Sequence, residues 1–274
     1  MQPRFFIPLL ALAPYWLWLH APAGAPHLNP GNPLPFVYAL VSLAGYLALG
    51  WWLFSFDIDD RLRSLGRLGI GSVSSMIAFG IVSVVRGQLP QPISGMGLLL
   101  GADGLGLQVL ELLRSVPGVP LWATIIAYTV QVGMVEETVK AVSARTDALD
   151  GTRVRAGFGF TAGVGFGVAE GVLYSFRNYE GSSDWHAYAL RFVSLVGLHA
   201  CMSTIAVLCL PEDWWDPRRY WIMLLRLVPI ALLHGTYDAL LVHHRGGWAG
   251  IVATLICLLV PFAIWFLEDR EGEP

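Results

Sequence analysis

The chain has 274 residues, of which 55% are hydrophobic and only 14% charged, and its mean hydropathy is +0.58. These values exclude an ordinary soluble domain and describe a helical protein that crosses a bilayer several times. At about 20 residues for each crossing, roughly eight spans fill the chain and leave no room for a sizeable domain outside the membrane. A net charge of -3, with the basic residues scattered through short connections, offers no nucleic-acid footprint.

The apolar runs predict spans over residues 5–20, 35–56, 70–86, 118–141, 157–178, 188–210, 220–242 and 249–267, so the expected fold class is all-α, a polytopic membrane helix bundle in one domain over 1–274. The first run contains Pro8 and Pro14 and is followed by "APAGAP", which describes either a retained helix or a cleavable signal. Arg61, Arg63 and Arg67 fall between the second and third spans, Arg145, Arg153 and Arg155 between the fourth and fifth, and Arg218 and Arg219 between the sixth and seventh. The opposite connections are poorer in basic residues, which puts both termini in the cytoplasm. Residues 87–117, with several glycines and prolines and with Asp103, read as an outside loop carrying a short amphipathic helix over 105–114, or as a re-entrant segment. Cys201, Cys209 and Cys257 lie in apolar runs without CxxC spacing and read as packing residues.

The fourth span carries "GMVEETVKA" over 133–141. Charged side chains at this depth survive where they face a bundle interior or a wet cavity and have partners. Glu136 and Glu137 point to neighbouring parts of one helix face, and Lys140 follows one turn on. One carboxylate can pair with Lys140 while the other serves as a general base; an intrahelical Glu-to-Lys pair accounts for the same residues without any chemistry.

In the fifth span Gly159, Gly163, Gly167 and Gly171 recur every four residues and form a smooth stripe on which another helix can pack. Beside it run Phe166, Glu170 and Tyr174, also four apart. Glu170 has no basic residue within a turn, so it requires a partner on another helix, a bound proton or a metal. The sixth span carries His199, with Ser203 one turn on and Arg191 two turns before. The seventh carries "LLHGTYDALL", where His234 and Asp238 share a face and can hold a metal together, or the carboxylate can orient the imidazole. Taken singly each has a plainer reading: a protonated, hydrogen-bonded carboxyl at Glu170, a helix-to-helix hydrogen bond at His199, and a local hydrogen bond between His234 and Asp238. Four consecutive spans with polar residues at depth point to one hydrated cavity kept from lipid. His20, His27, His186, His243 and His244 fall at span ends or in loops and stay outside this set.

The ordered set Glu136-Glu137-x-x-Lys140, Phe166-x-x-x-Glu170-x-x-x-Tyr174, His199 and His234-x-x-x-Asp238 resembles the PrsW family of intramembrane proteases, relatives of the CAAX-processing and Abi group of glutamate-dependent membrane proteases. The resemblance covers roughly 130–240, and the first three spans carry no part of it. Gly171 departs from it, where many relatives are expected to have Asn. The resemblance implies an intramembrane endopeptidase with a catalytic core over about 118–243, in which Glu136 or Glu137 activates water. The implied ligand set is Glu170, His199, His234 and Asp238, with zinc as the first candidate because His nitrogen and carboxylate oxygen suit its tetrahedral shell. In a metal-free version His234 and Asp238 bind the oxyanion or orient water, and in either version Lys140 holds one glutamate charged.

The implied partners are the lipid bilayer and a membrane-anchored protein or peptide substrate, such as an anti-sigma factor, with no nucleic acid. A single lysine among 17 basic residues fits a GC-rich bacterium, and hence the bacterial cytoplasmic (inner) membrane. Two other classes compete: a proton-coupled transporter, which predicts inverted repeats that the sequence lacks, and a non-catalytic scaffold, which leaves the cost of the deep ionisable groups unexplained.

Overall fold

The computed structural model describes residues 34–54, 56–85, 119–144, 151–178, 185–210 and 217–242, with 248, 252, 255 and 256. The expected first span, the stretch 87–117 and nearly all of the eighth span lie outside these residues. The helices are α1 Leu34–Leu53, α2 Ile58–Val85, α3 Leu121–Tyr128, α4 Met134–Ser143, α5 Thr152–Asn178, α6 Trp185–Cys209 and α7 Pro217–Val242, and a π-helical turn, Thr129–Gly133, joins α3 to α4. Four helical stretches among the described residues are long and apolar enough to cross a bilayer, half the expected number: Phe36–Leu53, Ile58–Val82, Thr152–Leu173 and Arg219–Leu241.

The arginines correct the expected span limits. Asp57 caps α2, accepting a hydrogen bond from the Asp60 amide at 2.8 Å, so the helix starts well before residue 70 and Arg61, Arg63 and Arg67 belong to it. Their charges are met locally: Arg61 Nε donates to the Phe56 carbonyl at 3.0 Å, and the Arg63 guanidinium lies 4.7 Å over the Phe158 ring. α5 and α7 likewise take in Arg153 and Arg155, and Arg218 and Arg219, with Pro217 opening α7 where a missing N–H costs nothing.

The contacts divide the chain into two compact units. The first gathers the described residues among 1–76, 140–208 and 253–274, the second those among 77–139 and 209–252.

In the first unit α5 is the core helix: 89% of its spanning stretch is buried, against 17% for α1. Helix α1 leaves Val37, Val41 and Trp52 exposed, a face suited to lipid chains. The glycine stripe does what its spacing predicts. A Cβ on Gly159 would stand 2.9 Å from the Ser203 carbonyl oxygen, and one on Gly167 2.8 Å from Val196 Cα, so α6 lies almost backbone to backbone on α5. Gly171 meets the Phe192 ring, where a Cβ would come within 2.8 Å of Cε1. That contact gives a steric reason for glycine at the position expected to hold Asn. On α2, the Ser72 hydroxyl is within reach of the carbonyls of Leu68 at 3.1 Å and Gly165 of α5 at 3.2 Å.

In the second unit Val82, Ala127, Tyr128, Val132 and Ala239 form a buried cluster. Two glycines bring α7 against the π turn: a Cβ on Gly133 would stand 2.5 Å from the Ala231 carbonyl oxygen, and one on Gly235 would strike the Thr129 amide. Thr129 Oγ1 donates to the Ile125 carbonyl at 2.7 Å, which occupies a carbonyl at the point where the α ladder is interrupted. Cys201 of the first unit and Cys209 of the second are free thiols, while Cys257 lies outside the described residues.

Candidate active site

The π turn is what aims the double glutamate. A widened turn inserts about one residue into the helix and rotates everything after it by about 100°. Glu136 and Glu137 follow within a turn, on a segment that Gly133 and Gly235 hold against α7. Glu136, Glu137 and His234 are buried, at 5%, 0% and 1% exposure. His234 Nδ1 donates to Glu137 Oε1 at 2.8 Å. This bond orients the ring and fixes its tautomer, so that with Glu137 ionised and the imidazole neutral the lone pair sits on Nε2. Nε2 lies 3.7 Å from Glu136 Oε2 and 3.6 Å from Asp238 Oδ2, and the Asp238 side chain is 22% exposed.

These longer separations test the site for a metal. They exceed hydrogen-bond length, and with His234 neutral, its proton on Nδ1 and the carboxylates ionised, a cation between Nε2 and a carboxylate oxygen relieves their mutual repulsion. A tetrahedral zinc with ligands at about 2.0–2.2 Å sets neighbouring donor atoms about 3.4 Å apart. Nε2 of His234 with Asp238 Oδ2, 3.6 Å away, fits such an ion in spacing and donor type.

The first unit holds a second pair. His199 Nε2 lies 2.7 Å from Glu170 Oε2, with His199 fully buried and the Glu170 side chain 13% exposed. The partner that a lone deep carboxylate requires is thus an imidazole on the neighbouring helix. Gly163 and Gly167 permit the approach, since both pack directly on the His199 backbone and Cβ. The His199 ring also touches Phe166, with centroids 5.0 Å apart, and the Lys140 Nζ lies 4.4 Å over that same Phe166 ring.

The seven residues singled out by sequence therefore fall in two groups. Lys140, Glu170 and His199 belong to the first unit, and Glu136, Glu137, His234 and Asp238 to the second. The expected ligand set divides into two close pairs, Glu170 with His199 and His234 with Asp238. Sequence reasoning missed the π turn, whose residues TVQVG carry no distinctive signal. It quoted Phe166 as part of a stripe but gave it no role. The side chains of Tyr174 and Arg191 are not among those described.

A family model described as PrsW family intramembrane metalloprotease matches residues 93–266, more than half of the chain, and contains all seven site residues. The chain belongs to the PrsW family. It is a protease, embedded in a membrane, and its substrate is a protein. Membership decides against the transporter and scaffold readings. The match begins after α1 and α2, as expected of spans that carry no part of the resemblance, and extends beyond the expected 130–240 at both ends. No curated protein and no solved structure matches the chain.

Proposed function

We propose that this PrsW-family protease cleaves a membrane-anchored protein with water activated by Glu136. The observation that carries this assignment is the hydrogen bond between His234 Nδ1 and Glu137 Oε1. It engages Glu137 as the group that orients His234, and leaves to Glu136, 3.7 Å from Nε2, the part of general base. Glu136 takes a proton from water as the oxygen attacks the scissile carbonyl, and returns it to the leaving amine as the C–N bond breaks. Burial strengthens each of these electrostatic steps, because few water dipoles compete.

His234 and Asp238 are the residues we assign to a metal in the second unit; Glu170 and His199, in the first unit, are the other two residues of the ligand set that the resemblance implies. When bound, a zinc ion supplies Lewis-acid polarisation of the carbonyl and acidification of water. Lys140 contributes positive charge to an otherwise acidic set. The membrane we assign is the bacterial cytoplasmic membrane, with both termini on the cytoplasmic side as the arginine distribution favours.

The test uses purified full-length protein and a panel of membrane-tethered substrates. Wild type is expected to cleave at least one of them, and Glu136→Gln none at a measurable rate. Undiminished cleavage by Glu136→Gln would remove that residue as the base. Elemental analysis of wild type against His234→Ala tests the metal: equal occupancy in both would take His234 out of the ligand set.

A further inference from the structure

Lys140 is the only lysine of the chain, and it is 2% exposed. A lone ammonium withdrawn from water must be met by electron density, and a carboxylate is the usual answer. Here a ring also meets it: Nζ lies 4.4 Å from the centroid of Phe166. Phe166 is itself 1% exposed, and its ring contacts the His199 imidazole at 5.0 Å. One turn further along the same helix, Glu170 Oε2 meets His199 Nε2 at 2.7 Å. Two residues four apart on α5 thus grip one histidine, Phe166 on the ring and Glu170 on the nitrogen, and the first of them also carries the lysine.

We propose that Phe166 is a positioning residue, whose ring fixes the Lys140 ammonium and the His199 imidazole in one arrangement. An aromatic ring suits this task chemically. Its quadrupole attracts a cation, more strongly when water is excluded, yet it neither takes the lysine's proton nor competes for a metal. A leucine of similar volume would fill the space and leave the lysine stem free to rotate. The stack stands on its own geometry, and its effect on turnover rests on the peptidase reading.

Because there is one lysine, lysine labelled with carbon-13 at Cε gives a single methylene signal from the whole chain in detergent micelles. In wild type the Hε protons are expected upfield of free lysine, shifted by the Phe166 ring current. In Phe166→Leu they return toward the free position, and in Phe166→Tyr they stay upfield. On a membrane-tethered substrate Phe166→Leu lowers kcat about tenfold with KM unchanged, and Phe166→Tyr recovers it. Replacement by pentafluorophenylalanine keeps the size of the ring and reverses its quadrupole. It guards against a leucine variant that does not fold, and should move the lysine signal and lower kcat in the same sense. Identical Hε shifts in wild type and Phe166→Leu would overturn the stack. A moved signal with kcat unchanged in every variant would overturn the positioning role. A wild type inactive on every substrate sinks the peptidase reading instead, and the Hε signal still decides the stack.

Discussion

His234 donates from Nδ1 to Glu137 Oε1 at 2.8 Å, and both side chains are buried. If Glu137 orients His234 and Glu136 is the base, the two adjacent glutamates respond differently to the same substitution. Glu137→Gln keeps an acceptor for Nδ1–H but loses its charge, so metal affinity should fall about 10- to 100-fold, and added zinc should restore much of the rate. Glu136→Gln should lose about 100- to 10,000-fold at any zinc concentration, the usual contribution of a general base. Turnover measured across a zinc titration separates the two; a rescue pattern in the opposite order would exchange the roles.

Glu170 and His199 should behave as one unit in stability. Removing one partner of a buried pair leaves the other polar group without its contact and costs about 3–5 kcal/mol. Glu170→Ala should therefore unfold in detergent at markedly lower denaturant than Glu170→Gln, whose amide can still hydrogen-bond the imidazole. In a double-mutant cycle with His199→Gln the coupling should reach at least about 0.5 kcal/mol. Additive effects would show that the 2.7 Å approach contributes nothing.

The features legible in the sequence were those governed by periodicity. The four-residue repeat of glycines announced the close seat of α6 on α5, and the lack of any base within a turn of Glu170 announced a partner on another helix, supplied by His199. Helix starts were legible less often. The arginines read as loop residues because charge is unfavourable in lipid, yet Phe158 and the Phe56 carbonyl receive two of them on α2. The pairing of His234 with Glu137 lay beyond sequence, because it depends on a π turn that rotates α4. A widened turn arises from tertiary contact at Gly133 and Gly235 rather than from any residue preference.

Chelation should separate the chemistry from the fold. The helices are held by glycine contacts, buried aromatic rings and backbone hydrogen bonds that do not depend on a cation. Treatment of the full-length enzyme with a zinc chelator should abolish cleavage and leave helical circular dichroism unchanged. Added zinc should restore activity, whereas magnesium should not, because it favours an octahedral oxygen shell over imidazole. Full activity in a sample shown by elemental analysis to be metal-free would exclude the ion from the reaction.

The glycine lock between the π turn and α7 gives a prediction in which the same substitution has opposite signs at different places. Gly133→Ala and Gly235→Ala each drive a methyl group into backbone atoms of the facing segment, at Ala231 and Thr129. Backbone cannot rotate out of the way as a side chain can, so each should cost about 1–3 kcal/mol. Because His234 precedes Gly235 directly, α7 should also move away from Glu137, and turnover should fall together with stability. Gly80 on α2 has open space where its Cβ would stand, so Gly80→Ala should gain up to about 1 kcal/mol through lower chain entropy in the unfolded state. Denaturant unfolding in detergent, read beside substrate cleavage, compares the three. Gly235→Ala with wild-type stability and turnover would show that the contact with Thr129 does not hold the catalytic pair.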